Sequence, residues 1–264
     1  MLIKSILNTL RKFQLKHIAM LVCLLFTTSL ILVSCNLEED PPFLDNTMYG
    51  NAQSAEAARD GIYAAFTHYN AQEQRMFVEN GYSGLMVTRR GGNKLSAVWM
   101  NNVMKLNPNE NVDTQNTWIG IYRIISRSNA AISNSTYDTS STEASQVRIN
   151  DVVGHAFFSR AWGYFSLTRL WGDVPVWTTL PDSDNIHKEK TPSKDVYQQI
   201  IADATQAKAL LNGSAGNGFP KDHAASMLLA KVYMLLATNA DLQADGMSEM
   251  DYWNLAYQEA KSVY

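Results

Sequence analysis

The sequence predicts a mostly α-helical protein built from pairs of antiparallel helices. From residue 54 onward, apolar residues recur at intervals of three and four, the pattern of helices with one buried face. Polar and glycine-rich stretches that favour turns separate these segments. Successive helix pairs of this size are typical of a tetratricopeptide-like right-handed array, in which each pair buries its face against its neighbours. We expect long irregular loops on this array.

The composition is that of a globular protein. The chain has 264 residues, of which 46% are hydrophobic and 18% are charged, and a chain of this length can bury a sizeable core. Basic residues number 22 and acidic residues 25, so the clustered basic excess that nucleic-acid binding needs is missing. The sequence therefore predicts no nucleic-acid partner.

Residues 1–34 have the features of an export signal. An apolar run at 18–33 follows all the basic residues of this segment, which are Lys4, Arg11, Lys12 and Lys16. As a helix this run would rise roughly 24 Å, which is less than the ~30 Å hydrocarbon core of a bilayer. We therefore expect a cleaved signal peptide rather than a transmembrane anchor.

The residues after the apolar run indicate a lipid anchor. Leu32-Val33-Ser34-Cys35 resembles the lipobox of bacterial lipoproteins, which implies that Cys35 becomes the acylated first residue of the mature chain. Ordinary cleavage that leaves Cys35 free is the alternative. Residues 35–53 would form a tether, whose acidic residues at 38–40 resemble a surface-export signal or simply keep the tether solvated. Because Cys23 is removed with the signal, the mature chain can form no internal disulfide.

Two amphipathic helices are predicted on either side of a long irregular segment. The first is expected to have Ser54 as its N-cap and an apolar face that continues to Tyr69. The second covers about residues 114–133 and carries one stripe, formed by Trp118, Ile121, Tyr122, Ile125, Asn129 and Ile132. The polar stretch 133–142 favours a turn, so the second helix should pack antiparallel to the helix that follows.

The apolar residues of segment 154–171 predict a helix that is apolar on nearly all sides and therefore buried. Gly172 is expected to supply a left-handed cap, and Pro175 prevents the helix from resuming. The run R-A-W-G-Y-F-S-L-T-R-L-W-G-D-V-P at 160–175 resembles the signature helix and turn of the SusD/RagB family of nutrient-binding outer-membrane lipoproteins. Three further segments look like elements of that family, at 60–63, 118–129 and 225–234.

The later helices repeat the hairpin pattern. Thr191 is expected to be an N-cap with Pro192 at the first helical position, before an apolar stripe of Val196, Ile200, Ala204, Ala207 and Leu211. The returning helix carries Ala225, Leu228, Leu229, Val232, Leu235 and Leu236. A third hairpin begins near Ser248, with an inner face formed by Tyr252, Leu255, Ala256 and Ala260.

The SusD/RagB resemblance covers residues 35–264 and implies a scaffold of helix pairs on which irregular loops build the ligand face. Because family members are longer, residues 54–264 are expected to be the N-terminal helical domain of such a protein, with the C-terminal part missing. An incomplete final helix pair exposes an apolar face. We therefore expect lowered stability or aggregation of residues 35–264 by themselves.

The segment from about residue 71 to 113 is the longest without helical periodicity, and long loops on rigid scaffolds often carry function. Trp99 beside Asn101 and Asn102 suits sugars, whose apolar ring faces stack on aromatic planes and whose hydroxyls pair with amides. The starch binders of the family take an aromatic residue and an asparagine from this region. Trp99 as a core residue is the alternative. Arg89 and Arg90 suit the carboxylates of acidic sugars or peptides, or form a plain exposed pair.

Several polar and aromatic residues of the helices are predicted to be structural. Arg160 lies on an apolar helix and needs a carboxylate partner, either Asp173 or Asp203. Asn129 on its inner helix face should be a hydrogen-bonded link between helices. Trp171 and Trp177 are expected to seat the turn between them, at 172–175.

The sequence indicates a protein that is not an enzyme. It contains no H-E-x-x-H, G-x-S-x-G, P-loop or dinucleotide fingerprint in its required context. The five histidines do not have metal-ligand spacing, so no metal and no cofactor are predicted. The paired carboxylates of a glycosidase stay open as an alternative, because sequence alone cannot exclude them.

The family resemblance implies the function. It predicts a lipid-anchored outer-membrane protein that faces the cell exterior, binds oligosaccharides and hands them to a TonB-dependent transporter. Peptide binding, as in the RagB branch, is the first alternative. A helical-repeat adaptor that binds only protein partners is the second, and a lipid-anchored enzyme is the third.

Overall fold

The computed structural model describes residues 51–68, 80, 112–135, 141–180 and 187–264, which belong to one compact unit, Asn46–Tyr264. Their regular secondary structure is helical, and an isolated β-bridge joins Val174 to Thr191. In chain order the helices are α1 Ala52–Phe66, α2 Val112–Asn134, α3 Glu143–Trp171, α4 Ser193–Leu210, α5 Asp222–Ala237 and α6 Glu249–Lys261, with a 3₁₀ turn at Ala240–Leu242. The predicted helical class is therefore confirmed.

Helix α1 begins three residues before the predicted position. Its N-cap is Asn51, whose Oδ1 accepts a hydrogen bond of 2.9 Å from the backbone N–H of Ser54. The expectation that Ser54 is the cap was wrong, because Asn51 is an equally good capping residue and Ala52 is already buried. Tyr69, at the end of the predicted face, lies outside the described residues.

Helix α3 is the central element of the fold and packs against α1, α2 and α4. It is 29 residues long and begins at Glu143, eleven positions before the predicted segment. Its side chains are buried on nearly every side between Ile149 and Thr168, which confirms the helix predicted from its continuous apolar character. Neighbouring backbones approach α3 closely at Gly154, where an added Cβ would lie 2.9 Å from the backbone nitrogen of Leu211.

The end of α3 partly follows the prediction. Gly172 has a φ of +71°, which confirms the need for glycine. Its ψ of −117° lies outside the left-handed helical region, because the chain continues from there into an extended segment instead of closing a helical cap.

Helix α4 is capped from a distance. Its N-cap position is Pro192, which has no side chain to cap the helix. Asp173 instead accepts hydrogen bonds of 2.7 Å from both the backbone N–H and the hydroxyl of Ser193. The prediction of Thr191 as the cap with Pro192 inside the helix was therefore wrong, because Thr191 pairs with Val174 in the β-bridge.

Helices α4, α5 and α6 continue the array of pairs. The predicted stripe of α4 is buried, and so is that of α5 except for the half-buried Leu235. Helix α6 starts with a capping box between Ser248 and Asp251. Tyr252 and Ala256 are buried, whereas Leu255 is 37% exposed. The prediction of Leu255 on the inner face was wrong, because α6 packs chiefly against one helix, α5, and buries only a narrow stripe.

The largest group of buried side chains lies among α2 to α6 and the segment after α3. Its large and almost completely buried members include Ile121, Ile125, Tyr164, Leu167, Ile200, Leu229 and Leu236. A smaller group joins α1 to α2 and α3. Among the helices that the structure describes, none is long and apolar enough to cross a membrane.

Candidate functional site

All the predicted ligand-binding and lipid-attachment residues lie outside the described residues: Cys35, Arg89, Arg90, Trp99, Asn101 and Asn102. The structure does describe the two helix ends that segment 69–111 connects, and the turn beside them. These helix ends and this turn are therefore the described surroundings of the candidate site.

The directions of α1 and α2 show where the two ends of segment 69–111 lie relative to α3. Helix α1 runs parallel to α3, because its first half pairs Glu56 with Arg148 and its last turn packs Phe66 against Trp162 at 4.7 Å between ring centroids. Helix α2 runs antiparallel to α3 and begins near the residue at which α3 ends, with Trp118 5.1 Å from Trp171. The C-terminus of α1 and the N-terminus of α2 therefore both point toward the end of α3.

The extended segment after α3, residues 173–179, is fixed by side chains of α2 and α3. Asn129 donates from Nδ2 to the carbonyls of Trp177 and Thr179, at 2.9 and 3.0 Å. Tyr164 donates its hydroxyl proton to the carbonyl of Trp177 and accepts from the same residue's N–H, at 2.8 and 2.7 Å. Tyr122 donates to the carbonyl of Pro175 at 2.8 Å. Burial raises the pKa of both tyrosines above its usual value, so both hydroxyls keep the protons that they donate to these carbonyls.

Arg160 is the charged centre of this arrangement and is 3% exposed. Its Nε and Nη2 donate to the two carboxylate oxygens of Asp203 at 2.8 and 2.7 Å. Its Nη1 donates to Oδ1 of Asn129 and to the carbonyl of Thr178, both at 2.8 Å. The predicted structural role of Arg160 and the linking role of Asn129 are confirmed, with Asp203 and not Asp173 as the carboxylate partner.

Four half-buried aromatic side chains surround the start of the segment. Trp118 lies 4.8 Å from Tyr122, and Tyr122 lies 5.6 Å from Trp177, between ring centroids. Together with the contact of Trp171 to Trp118, these rings pack both sides of the turn at 172–175 against α2. This packing confirms that Trp171 and Trp177 hold the turn in place. The rigid segment ends in the exposed residues Thr178, Thr179 and Leu180.

A second polar cluster connects α1, α3 and the α4–α5 loop, and the sequence reading missed it. His155 is fully buried, with its Nδ1 2.8 Å from the hydroxyl of Tyr63 and its Nε2 3.4 Å from Oδ2 of Asp151. Asp151 accepts hydrogen bonds from the backbone N–H groups of Asn212, Gly213 and Ala215. The spacing of Asp151 and His155 by one helical turn was the available signal.

The hydroxyl, imidazole and carboxylate of this cluster follow one another in the order found in a catalytic relay. Unlike a catalytic relay, the cluster is buried. Burial by itself raises the pKa of Asp151, but the nearby imidazole of His155 and the hydrogen bonds from the loop N–H groups outweigh it and leave the pKa below its usual value. Burial raises the pKa of Tyr63, so its hydroxyl stays protonated. With Asp151 and His155 both inaccessible to a substrate, the arrangement attaches the α4–α5 loop to α3. No group of metal-ligating side chains occurs in the part of the chain that the structure describes.

Comparison with known proteins identifies the family of most of the chain. The family model described as "Starch-binding associating with outer membrane", SusD-like, matches residues 42–234. A SusD-like protein of Bacteroides ovatus is 28% identical over 224 residues, which are 79% of this chain and 38% of that protein.

Solved structures share the fold. A structure described as determined with xylogluco-oligosaccharide matches with a TM-score of 0.60 and 24% identity, covering 80% of this chain and 40% of that one. A laminarin-binding SusD-like protein matches with a TM-score of 0.60 and 22% identity, covering 74% of this chain and 42% of that one. The chain thus spans about two fifths of the length of these relatives. Over most of its length, from residue 42 to 234, the chain belongs to the SusD-like family.

Proposed function

We propose that this protein binds oligosaccharides at the outer membrane and passes them to a TonB-dependent transporter without changing them chemically. The observation that carries the proposal is the family match over residues 42–234, whose description names starch binding and association with the outer membrane. The two structural neighbours named for xylogluco-oligosaccharide and laminarin support a carbohydrate ligand. The transporter partner rests on the family resemblance.

We place the ligand site in segment 69–111, with Trp99 as a stacking platform and Asn101 and Asn102 as hydrogen-bonding groups. Apolar sugar faces stack on aromatic rings, and planar amides both donate to and accept from hydroxyls. The described contacts support this placement because the segment joins the last turn of α1, which packs on Trp162, to the first turns of α2, where Trp118 packs on Trp171 at the end of α3. Binding residues on rigid supports lose less entropy on ligand capture.

Peptide binding is the second candidate, and Arg89 and Arg90 are the residues that favour it. Guanidinium groups pair bidentately with carboxylates, so an acidic or peptide ligand would depend on these arginines and a neutral glycan on Trp99. A helical-repeat adaptor would bind neither class of small ligand, and an enzyme would release products.

Isothermal titration calorimetry against a panel of neutral glycans, acidic glycans and peptides separates these functions, with the glycans analysed after incubation. We expect saturable binding of at least one neutral oligosaccharide and its recovery unchanged. Binding of peptides alone would favour the RagB-like function. Binding of no panel member would favour the adaptor, and shortened glycans would show an enzyme.

We also propose that Cys35 carries the acyl chains that hold the protein to the outer membrane, facing the cell exterior, with residues 35–53 as the tether. A single acyl chain binds a membrane only marginally, whereas several chains anchor firmly. Mass spectrometry should find the mature N-terminus at Cys35 with its lipid, and Cys35→Ala should move the protein out of the membrane fraction. Protease added to intact cells should digest the wild-type protein; a protected protein would contradict the outward orientation.

A further inference from the structure

The loop between α4 and α5 holds two asparagine–glycine pairs in different surroundings, Asn212-Gly213 and Asn217-Gly218. In such a pair the glycine has no side chain to shield its backbone nitrogen, and its backbone is free to turn. That nitrogen can therefore reach the carboxamide carbon of the preceding asparagine. A third pair begins at Asn80, whose glycine lies outside the described residues.

Both reacting groups of the first pair are restrained. The Nδ2 of Asn212 donates to the carbonyl of Val147 at 2.9 Å, and its Oδ1 accepts from the N–H of Ser214 at 3.0 Å and from the Ser214 hydroxyl. The N–H of Gly213 donates to Asp151 at 3.1 Å. Attack on the carboxamide of Asn212 would require several of these hydrogen bonds to break.

The second pair carries none of these restraints. Asn217 is exposed, and its side chain makes no hydrogen bond with any residue that the structure describes. Gly218 has a φ of +94°, and an added Cβ there would meet nothing within 4 Å. The space beside the Cα of Gly218 is therefore open.

We propose that Asn217 is a site of spontaneous deamidation and that Asn212, five residues earlier in the same loop, is protected by its hydrogen bonds. The backbone nitrogen of Gly218 loses its proton and forms a bond to Cγ of Asn217, while the bond from Cγ to the amide nitrogen breaks. Ammonia leaves with that proton, and a cyclic imide remains. Water then opens the imide at either carbonyl and gives aspartate or isoaspartate at position 217, each with a new negative charge.

The product would alter the packing of the loop against α1 and α3. Phe219, two residues after Asn217, lies 4.5 Å from the guanidinium carbon of Arg59 and 5.3 Å from the ring of Tyr63. It also lies 5.6 Å from the ring of His155. Isoaspartate adds a methylene to the main chain immediately before this contact, so the attachment of the loop to α1 and α3 would loosen with the age of the protein.

Incubation of the folded, purified protein in mildly alkaline buffer, followed by peptide mapping with mass spectrometry and isoaspartate labelling by the repair methyltransferase, tests the proposal. We expect conversion at Asn217 at least about tenfold faster than at Asn212, because each hydrogen bond broken at Asn212 raises the barrier. Asn217→Gln should remove the isoaspartate signal of this loop, since the longer side chain closes its ring far less readily.

Two further measurements assign the cause. In denaturant both pairs should convert at similar rates, and Ser214→Ala should raise conversion at Asn212 in the folded protein. Equal rates at the two asparagines in the folded protein, faster conversion at Asn212, or a native difference that persists unchanged in denaturant would overturn the proposal.

Discussion

Arg160 shows how one buried charge organises the turn after α3. Removing a guanidinium from water costs several kcal/mol unless its donors are paired, and here they meet a carboxylate, an amide oxygen and a backbone carbonyl. The same residue thereby connects α3 to α4 and α2 and fixes the strand-like segment. Its value to the fold is in this connection more than in the Coulomb attraction of the pair.

Asp203→Asn should destabilise the protein strongly, because it leaves the charge of Arg160 buried without a carboxylate. We expect a loss of about 3 kcal/mol in the free energy of unfolding, measured by urea denaturation. Glu56→Gln is the matched control, since the Glu56–Arg148 pair is partly solvent-exposed, and exposed pairs contribute little. Similar midpoints for the two variants would contradict this account.

Asp151 should make stability depend on pH in the acid range. Its pKa is lowered in the folded state, so its contribution is complete above the unfolded-state pKa of about 4 and is lost as the pH falls through the folded-state pKa. Asp151→Asn should therefore be less stable than wild type at neutral pH, by about 1–3 kcal/mol, and the difference should shrink below about pH 4.

Urea denaturation at a series of pH values measures this difference. The control is Asp222→Asn, because Asp222 is exposed and its carboxylate lies beside the exposed imidazole of the adjacent His223. The difference in the free energy of unfolding between wild type and Asp151→Asn should shrink in acid. A difference that stays constant there would show that the Asp151 carboxylate does not cause the pH dependence.

At the scale of the helices, the positions of α2, α4 and α5 followed from the sequence, whereas the caps of α1 and α4 did not. The apolar spacing of α2, α4 and α5 is local, so it predicted those helices within a few residues. The cap of α4 depends on Asp173, twenty residues before Ser193, and such a pairing leaves no local pattern. The contact between Tyr63 and His155 joins residues 92 positions apart, which is why the polar cluster was missed.

Helix packing predicts opposite effects of the same substitution at two helical glycines. Gly154→Ala should cost about 1–3 kcal/mol, because the new methyl group meets the backbone of Leu210 and Leu211. Gly61→Ala should stabilise by up to about 1 kcal/mol, because nothing lies within 4 Å of the new Cβ and alanine favours helix. Thermal unfolding of both variants checks the signs, and a stabilised Gly154→Ala would contradict the packing.

At the scale of the whole molecule, the described residues form an array of packed helices. Large apolar side chains are exposed on α5 and α6, among them Met227, Met234, Met250, Trp253 and Tyr257. The expected lowered stability of residues 35–264 stays a prediction that is consistent with this face. A cooperative unfolding transition at high temperature would contradict it.

The candidate site stays a prediction that names a region of the sequence and no geometry. Lack of helical periodicity identified segment 71–113, and its residue types suggested a sugar ligand. Long loops adopt conformations that depend on tertiary contacts, so neither the spacing of Trp99 and Asn101 nor their partners could be derived from the chain. The helices that flank the segment were predictable because their apolar faces require a buried position.

The most direct test of the account is a titration of the protein, Trp99→Ala and Trp253→Ala with a neutral oligosaccharide that the wild-type protein binds. Trp253 is a 37% exposed tryptophan on α6, so it controls for the loss of an indole elsewhere. We expect Trp99→Ala to bind the oligosaccharide roughly tenfold more weakly than the wild-type protein, and Trp253→Ala to bind it with wild-type affinity. Unchanged affinity in Trp99→Ala would contradict the proposed glycan site.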